Sequence, residues 1–348
     1  MRTLHPAGWK PPIGYANGIA VAPGEIVFIA GQVGWDADQV FRSTELVPQF
    51  EQALRNVLAV LAEADTRRFQ TDYLLQANYY RAFVRGDSGE MQRLLSRASD
   101  VAGAQSLLLS EQARTEAYFG RFQRARDLTR AAADLMVHEG DKESAARCLA
   151  EAAVREAEVG FSARARGYLD QAAQLSTGKD VMVVTAVAAA RSGDLKRAQK
   201  LSGELDRKYP QDTLVQKYWL PVIRAALDLR QGKAPKAIDD LAPAEAIELG
   251  DATSLSLYPA YVRGQAYLAM GDARNAAMEF QKLIDHPGIV LNFQLGALSR
   301  LGRARSFSRA TNSAETRDAY RDFLQFWKYA DYDIPMLKQA KGEYAKLK

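Results

Sequence analysis

The side chains able to do covalent or metal chemistry are few in this 348-residue chain, and they stand far apart. His5, His138 and His286 are separated by more than a hundred residues each, and none has a second histidine or cysteine one helical turn away. A tetrahedral metal site needs several such ligands converging, so none is expected. The single cysteine, Cys148, sits in "AARCLAEAA" among small helix-packing residues, with His138 ten positions back. A thiol nucleophile needs a base beside it, and the run reads as a packed structural helix. Gly31-x-x-Gly34 is too short for a dinucleotide fingerprint, and no Walker-type run occurs. No catalytic, cofactor-binding or metal-ligating residue is assigned.

The side chains suited to recognition are arginines at equivalent places. Arg191 and Arg230 each stand two residues before a recurring glycine, and Arg309 stands two before Thr311 in the corresponding position. Two readings are open. A cation at a helix C-terminus complements the helix dipole. Stacked repeats also set equivalent positions in a row, and a basic row could receive an acidic peptide or a C-terminal carboxylate. Tyr218, Trp219, Tyr258 and Tyr261 lie nearby in sequence as core residues or as anchors. Tyr261 and Gln265, four apart on one helix, are the leading groove candidates.

Those residues must be positioned by repeats. Gly86, Gly120, Gly160, Gly193, Gly232 and Gly271 recur at intervals of 33 to 40 residues. All but Gly86 are followed at the fifth position by alanine: Ala125, Ala165, Ala198, Ala237 and Ala276. Glycine accepts the left-handed conformation that ends one helix, and alanine lets the next helix approach closely. Five matches in register define a repeat. The clearest unit, "YPAYVRGQAYLAMGDARNAAMEF", resembles the tetratricopeptide repeat (TPR), a helix–turn–helix unit. The longer intervals predict longer helices or loops, and Pro221 in "YWLPVIRAALDLR" predicts a kinked or restarted helix. Asp333-Ile-Pro335 opens a last helix that would cap the stack. Residues 80–348, through "FWKYADYDIPMLKQAKGEYAKL", also resemble the C-terminal helical region of bacterial serine/threonine protein kinases and winged-helix signalling regulators. No glycine-rich loop with a lysine strand, His-Arg-Asp or Asp-Phe-Gly accompanies it, so the resemblance implies a scaffold without the kinase activity.

The first 65 residues differ in texture. They carry a net charge of −3 against +7 for the remainder, and ten of the chain's glycines and prolines fall in the first 35 positions. Tyr15 to Val21 and Glu25 to Gly31 read as two strands joined by Ala22-Pro23-Gly24, a type II-like turn. Ser43 or Thr44 can cap a helix in which Leu46, Phe50, Leu54, Val57 and Leu61 recur at helical spacing. "PPIGYANGIAVAPGEIVFIAGQVGWD" followed by "QFEQALRNVLAVLAEA" resembles the opening half of the RidA-like enamine/imine deaminases, over about residues 7–64. The resemblance implies pocket-lining roles for Tyr15 and Gly31. The family's second half, with the arginine that clamps the substrate carboxylate, has no counterpart after Ala64, so a vestigial pocket is expected. Half a sheet leaves an open edge; it must pair with another copy, dock on the helical part, or be poorly ordered.

The expectation is therefore an all-α, right-handed TPR-like solenoid with a small N-terminal β-hairpin and helix. Its domains would be residues 1–65, 66–332 and a capping helix at 333–348. The function would be protein or peptide binding as a scaffold or adaptor, with a truncated deaminase as the alternative. Dispersed positive charge gives no nucleic-acid footprint. The longest apolar run, Val181 to Ala190, is half the ~20 residues of a membrane span. One cysteine and no apolar leader in "MRTLHP" fit the cytoplasm.

Overall fold

The computed structural model describes residues 2–21, 26–66, 71–250, 255–310 and 314–347. It divides into two compact units, Met1–Tyr79 with Gly89–Gln105 and Tyr80–Ser88 with Ser106–Lys348.

In the first unit β1 (Arg2–Leu4), β2 (Gly18–Val21) and β3 (Ile26–Ile29) form an antiparallel sheet in that order. Gly18 pairs with both Leu4 and Ile29, so β2 is the central strand. Strands β2 and β3 lie within the two predicted extended runs; the turn between them, Ala22-Pro23-Gly24, lies outside the described residues. Strand β1 adds a partner that three terminal residues could not announce. After a loop, α1 (Leu46–Thr66) begins where Ser43 Oγ accepts the Glu45 N–H at 3.0 Å. Gly34 allows the loop to reach this helix, because a Cβ there would lie 2.6 Å from Gln49 Cα.

Over its first half helix α1 leaves exposed the face that its apolar spacing predicts to be buried, whereas Leu61 of the same set packs on the small core. Leu46, Phe50 and Leu54 are exposed, while Asn56 and Val60 are buried. The cause is polar: Asn56 Nδ2 donates to the carbonyls of Val33 at 3.0 Å and Trp35 at 2.8 Å, satisfying two loop acceptors. That anchor sets the rotation of the helix, and Val60 joins Leu4 and Leu74 in a small core.

Helices α2 (Asp72–Val84) and α3 (Ser88–Arg97) follow. The hairpins then run α4 (Ala104–Tyr118) with α5 (Phe122–His138), α6 (Lys142–Glu158) with α7 (Ser162–Leu175), and α8 (Lys179–Ser192) with α9 (Leu195–Lys208). They continue as α10 (Leu220–Arg230) with α11 (Ala234–Leu241) and α12 (Tyr258–Met270) with α13 (Ala273–Asp285). The short α14 (Pro287–Val290) precedes α15 (Leu295–Ala310), α16 (Ala314–Phe326) and α17 (Pro335–Ala345). Gly86, Gly120, Gly160, Gly193, Gly232 and Gly271 all take φ between +70° and +99°. Ala125, Ala165, Ala198, Ala237 and Ala276 are all buried where paired helices meet.

The long intervals have distinct local causes. Between Gly120 and Gly160, α5 and α6 run 17 residues each, and Gly140 at φ +85° turns one into the other. Between Gly193 and Gly232 a π-helical stretch, Val215–Trp219, leads straight into α10 with Pro221 in its first turn. Between Gly232 and Gly271 a 3₁₀ turn, Ala242–Ala244, follows α11. Thr311 lies outside the described residues. The apolar run Val181 to Ala190 is the interior of α8, buried at every position, as a helix apolar all round should be.

Within this second unit the last helices return to the first hairpins. Trp327 Nε1 donates to the Tyr118 carbonyl at 3.0 Å, Asp331 N–H to the Gly120 carbonyl at 3.0 Å, and Met336 N–H to the Val159 carbonyl at 3.2 Å. Gly120 and Gly160 lie under Ala330 and Pro335, close enough that a Cβ at either would meet them at 2.4 and 3.0 Å.

Candidate functional site

The first helices of successive hairpins, the expected lining of a peptide groove, face one another through buried charges. Glu158 at the end of α6 accepts from Arg191 Nε at 2.5 Å and Nη2 at 2.8 Å. The same carboxylate accepts the hydroxyl of Tyr258 on α12, and Arg191 Nη2 reaches Gln265 Oε1 at 2.7 Å. Burial opposes the Arg191 charge, but the Glu158 carboxylate outweighs it and holds the guanidinium above its ordinary value. Burial, with Glu158 behind it, pushes the Tyr258 and Tyr261 phenols upward. A second cluster joins α4 to α6: Arg114 donates to Glu111 Oε1 at 2.9 Å, to Glu151 and to the Tyr80 hydroxyl at 3.1 Å. Asn292, just before α15, donates to the Glu111 carbonyl at 2.9 Å.

The candidate residues therefore have unlike surroundings. Arg191 has only 12 % of its side chain exposed, Tyr258 and Tyr261 are buried, and Gln265 is half-buried as the Arg191 acceptor. Tyr218 is buried with its hydroxyl on the Leu255 carbonyl at 3.2 Å, and Trp219 packs beside it. Arg230 is exposed, and its guanidinium lies over Gly193 at the C-terminus of α8. There Arg166 Nη1 also donates to the Ser192 carbonyl at 3.2 Å, so two cations meet the negative end of that helix. Arg309 is exposed in a recess of about 430 Å³ with Arg305, Tyr320, Glu343 and Lys346. Cys148 is buried with Ser110 Oγ 3.5 Å from its sulfur, and burial pushes its thiol upward.

An open groove of about 450 Å³ lies elsewhere, between α5 and α7. Ala133, Val137, Leu149 and Leu175 supply apolar surface, and Gly167 leaves open space where a side chain would stand. Arg130 on α5 and Arg164 on α7 are both exposed on its walls, with Gln171 and Gln174 along α7. Arg126 is spent on Glu156 in a two-pronged pair at 2.7 and 2.9 Å, and its guanidinium stacks 4.7 Å over the Phe161 ring. Arg164 lies 5.7 Å over the same ring without a carboxylate partner among the described residues. Asp134 is the one acid on the lining. Sequence reasoning missed this groove because its residues sit on second helices, outside the arginine register; the "RARDLTR" and "ARARGYL" runs were its only signal.

In the first unit Tyr15 stacks on Trp35 with ring centroids 6.4 Å apart, and Gln39 Nε2 reaches its hydroxyl at 3.4 Å. Gly31 is exposed with open space around it. His5 is fixed by Asn17 Nδ2 on Nδ1 at 3.0 Å and by the Trp9 carbonyl at 3.1 Å from Nε2, which assigns the proton to Nε2. Among the described residues no group of three or more His, Cys, Asp or Glu side chains could hold a metal ion. Nor is any helix among them long and apolar enough to cross a membrane.

A family model described as endoribonuclease L-PSP matches residues 10–82, so the N-terminal part carries a RidA-like segment that continues past Ala64 into α2. Solved structures similar to the chain include a tetratricopeptide repeat protein from Parabacteroides merdae ATCC 43184. It is 16% identical over 68% of this chain and 98% of that chain, with a TM-score of 0.33. A signal transduction ATPase with numerous domains and a tetratricopeptide repeat sensor, from Pyrococcus horikoshii, is 17% identical over 88% of this chain, with a TM-score of 0.37. This chain spans 50% of that protein's length. The repeat assignment rests on the chain's own hairpins, glycine turns and buried alanines. No curated protein matches the chain.

Proposed function

We propose that the chain is a protein–protein interaction scaffold, and that it receives an acidic, extended peptide segment in the groove between α5 and α7. The observation that carries this reading is the pair Arg130 and Arg164, exposed on opposite walls above an apolar floor. Guanidinium groups bind carboxylates with geometric specificity. The neighbouring glutamines offer donors and acceptors to a peptide backbone, and the open space at Gly167 admits its close approach. Arg230 and Arg309, the exposed members of the basic row, are a secondary contact surface for the same partner. Arg191 is not, because its fork is committed to Glu158.

Selection from a random peptide-display library against the whole chain tests this. Enrichment of Asp- and Glu-rich sequences, lost when Arg130→Glu and Arg164→Glu are combined, is the expected result. Enrichment that is neutral or basic, or indifferent to the double variant, overturns it.

The family match favours a second reading, hydrolysis of an enamine or imine by the N-terminal unit, with Tyr15 and Gly31 lining its pocket. Arg42, the first arginine after these residues, is held by Asp36 at 2.5 Å. Steady release of ammonia from a 2-imino acid generated in situ, abolished by Tyr15→Ala, would establish that reading; a background rate would remove it.

A further inference from the structure

We infer that α1 is a homodimer interface, on which two copies of the chain pair their α1 helices antiparallel across a two-fold axis. Leu46, Val47, Phe50, Leu54 and Leu58 are 80, 76, 64, 49 and 41 % exposed, respectively. At 100° per residue they fall on one continuous side of the helix. The opposite side is already committed, through Asn56 to the loop carbonyls and Val60 to the small core. A contiguous apolar stripe of this kind marks an interaction site.

The charges beside the stripe say what covers it. One flank carries Glu51 and Arg55, 61 and 67 % exposed, paired with each other at 2.6 Å. The other flank carries Gln49, Ala53 and Val57 and no charge. In an antiparallel two-fold pair the same flank of each helix meets itself running the opposite way. Glu51 of one copy then faces Arg55 of the other, twice over. Parallel pairing would set the charged flank against the uncharged one. A uniformly acidic or basic partner would be attracted by one member of the pair and repelled by the other. Self-complementarity of this kind is what an isologous interface requires, and flanking charges of this kind set partner and orientation in paired helices. The helix thus supplies the self-association that the open half-sheet suggested.

Sedimentation equilibrium on the full chain tests the proposal, with charge exchange as the control for folding, since Glu51 and Arg55 are exposed. The wild-type chain is expected to dimerise reversibly. Glu51→Arg alone and Arg55→Glu alone should each weaken the dimer about tenfold or more, because like charges then face each other. An equimolar mixture of these two variants should recover a heterodimer, and the double variant E51R/R55E should recover the homodimer. Leu54→Glu should give monomer. A monomeric wild-type chain overturns the proposal, as does a mixture that fails to re-associate or a dimer indifferent to all three single substitutions. Arg164→Glu should leave the dimer intact, so this result stands or falls apart from the groove.

Discussion

Glu158 and Arg191 form a two-pronged ion pair, at 2.5 and 2.8 Å, between the ends of two helices whose side chains are almost wholly removed from water. Tyr258 and Gln265, from a helix far along the chain, complete its hydrogen bonding. A charge pair in this setting stabilises only while both members are present, because either one alone is a buried ion. Glu158→Ala should therefore cost about 3–5 kcal/mol, read as a lower urea midpoint. Tyr258→Phe, which removes one donor and leaves the pair, should cost only about 1–2 kcal/mol. Equal losses in the two variants would mean that the pair does not organise these helices.

Arg155 is the opposite case. It is buried on α6, burial depresses its guanidinium, and its Nη1 has no hydrogen-bond partner among the described residues, while Nη2 donates to Thr129 Oγ1 at 2.6 Å. Arg155→Met fills similar volume without an ion to desolvate and should raise stability by about 1–2 kcal/mol. A thermal melt shows this as a higher midpoint; a lower one would mean that the charge is compensated.

Acid should act on a helix cap. Asp141 accepts the Ser144 N–H at 2.9 Å at the start of α6, and these hydrogen bonds hold its carboxyl below the ordinary 3.8. A depressed carboxylate contributes stability that is complete above its unfolded value and lost as pH falls through its folded value. The stability gap between the wild-type chain and Asp141→Ala should be about 1 kcal/mol at neutral pH. It should close in acid, below the usual carboxylate range. Urea unfolding of both chains across pH checks it, and a gap that persists in acid contradicts it.

Much of the architecture can be read from the sequence because turns are local. Gly120, Gly160, Gly193, Gly232 and Gly271 each demand a left-handed residue, and an alanine five positions on demands close packing, whatever the distant chain does. Gly140 with Ala145 obeys the same rule and marks the turn between hairpins. The positions that misled are those where a distant polar group decides. Asn56 rotates α1 by bonding to the Val33 and Trp35 carbonyls, which no periodicity records. Arg191 carries the pattern of a groove residue and is consumed by Glu158, because the stacked first helices pack against one another. The groove of Arg130 and Arg164 exists only once α5 and α7 lie side by side. Residue spacing thus located the scaffold, and tertiary pairing decided which cations are left to bind anything.

The most direct test of this account is a fluorescence-anisotropy titration of a labelled acidic nonapeptide with the full chain and two paired variants. Arg130→Glu combined with Arg164→Glu should weaken binding about a hundredfold, since two charge-assisted contacts become repulsive. Arg230→Ala combined with Arg309→Ala should change it by less than about threefold, as exposed peripheral charges do. The reverse ranking, with the groove variant binding normally and the basic-row variant failing, would contradict the account.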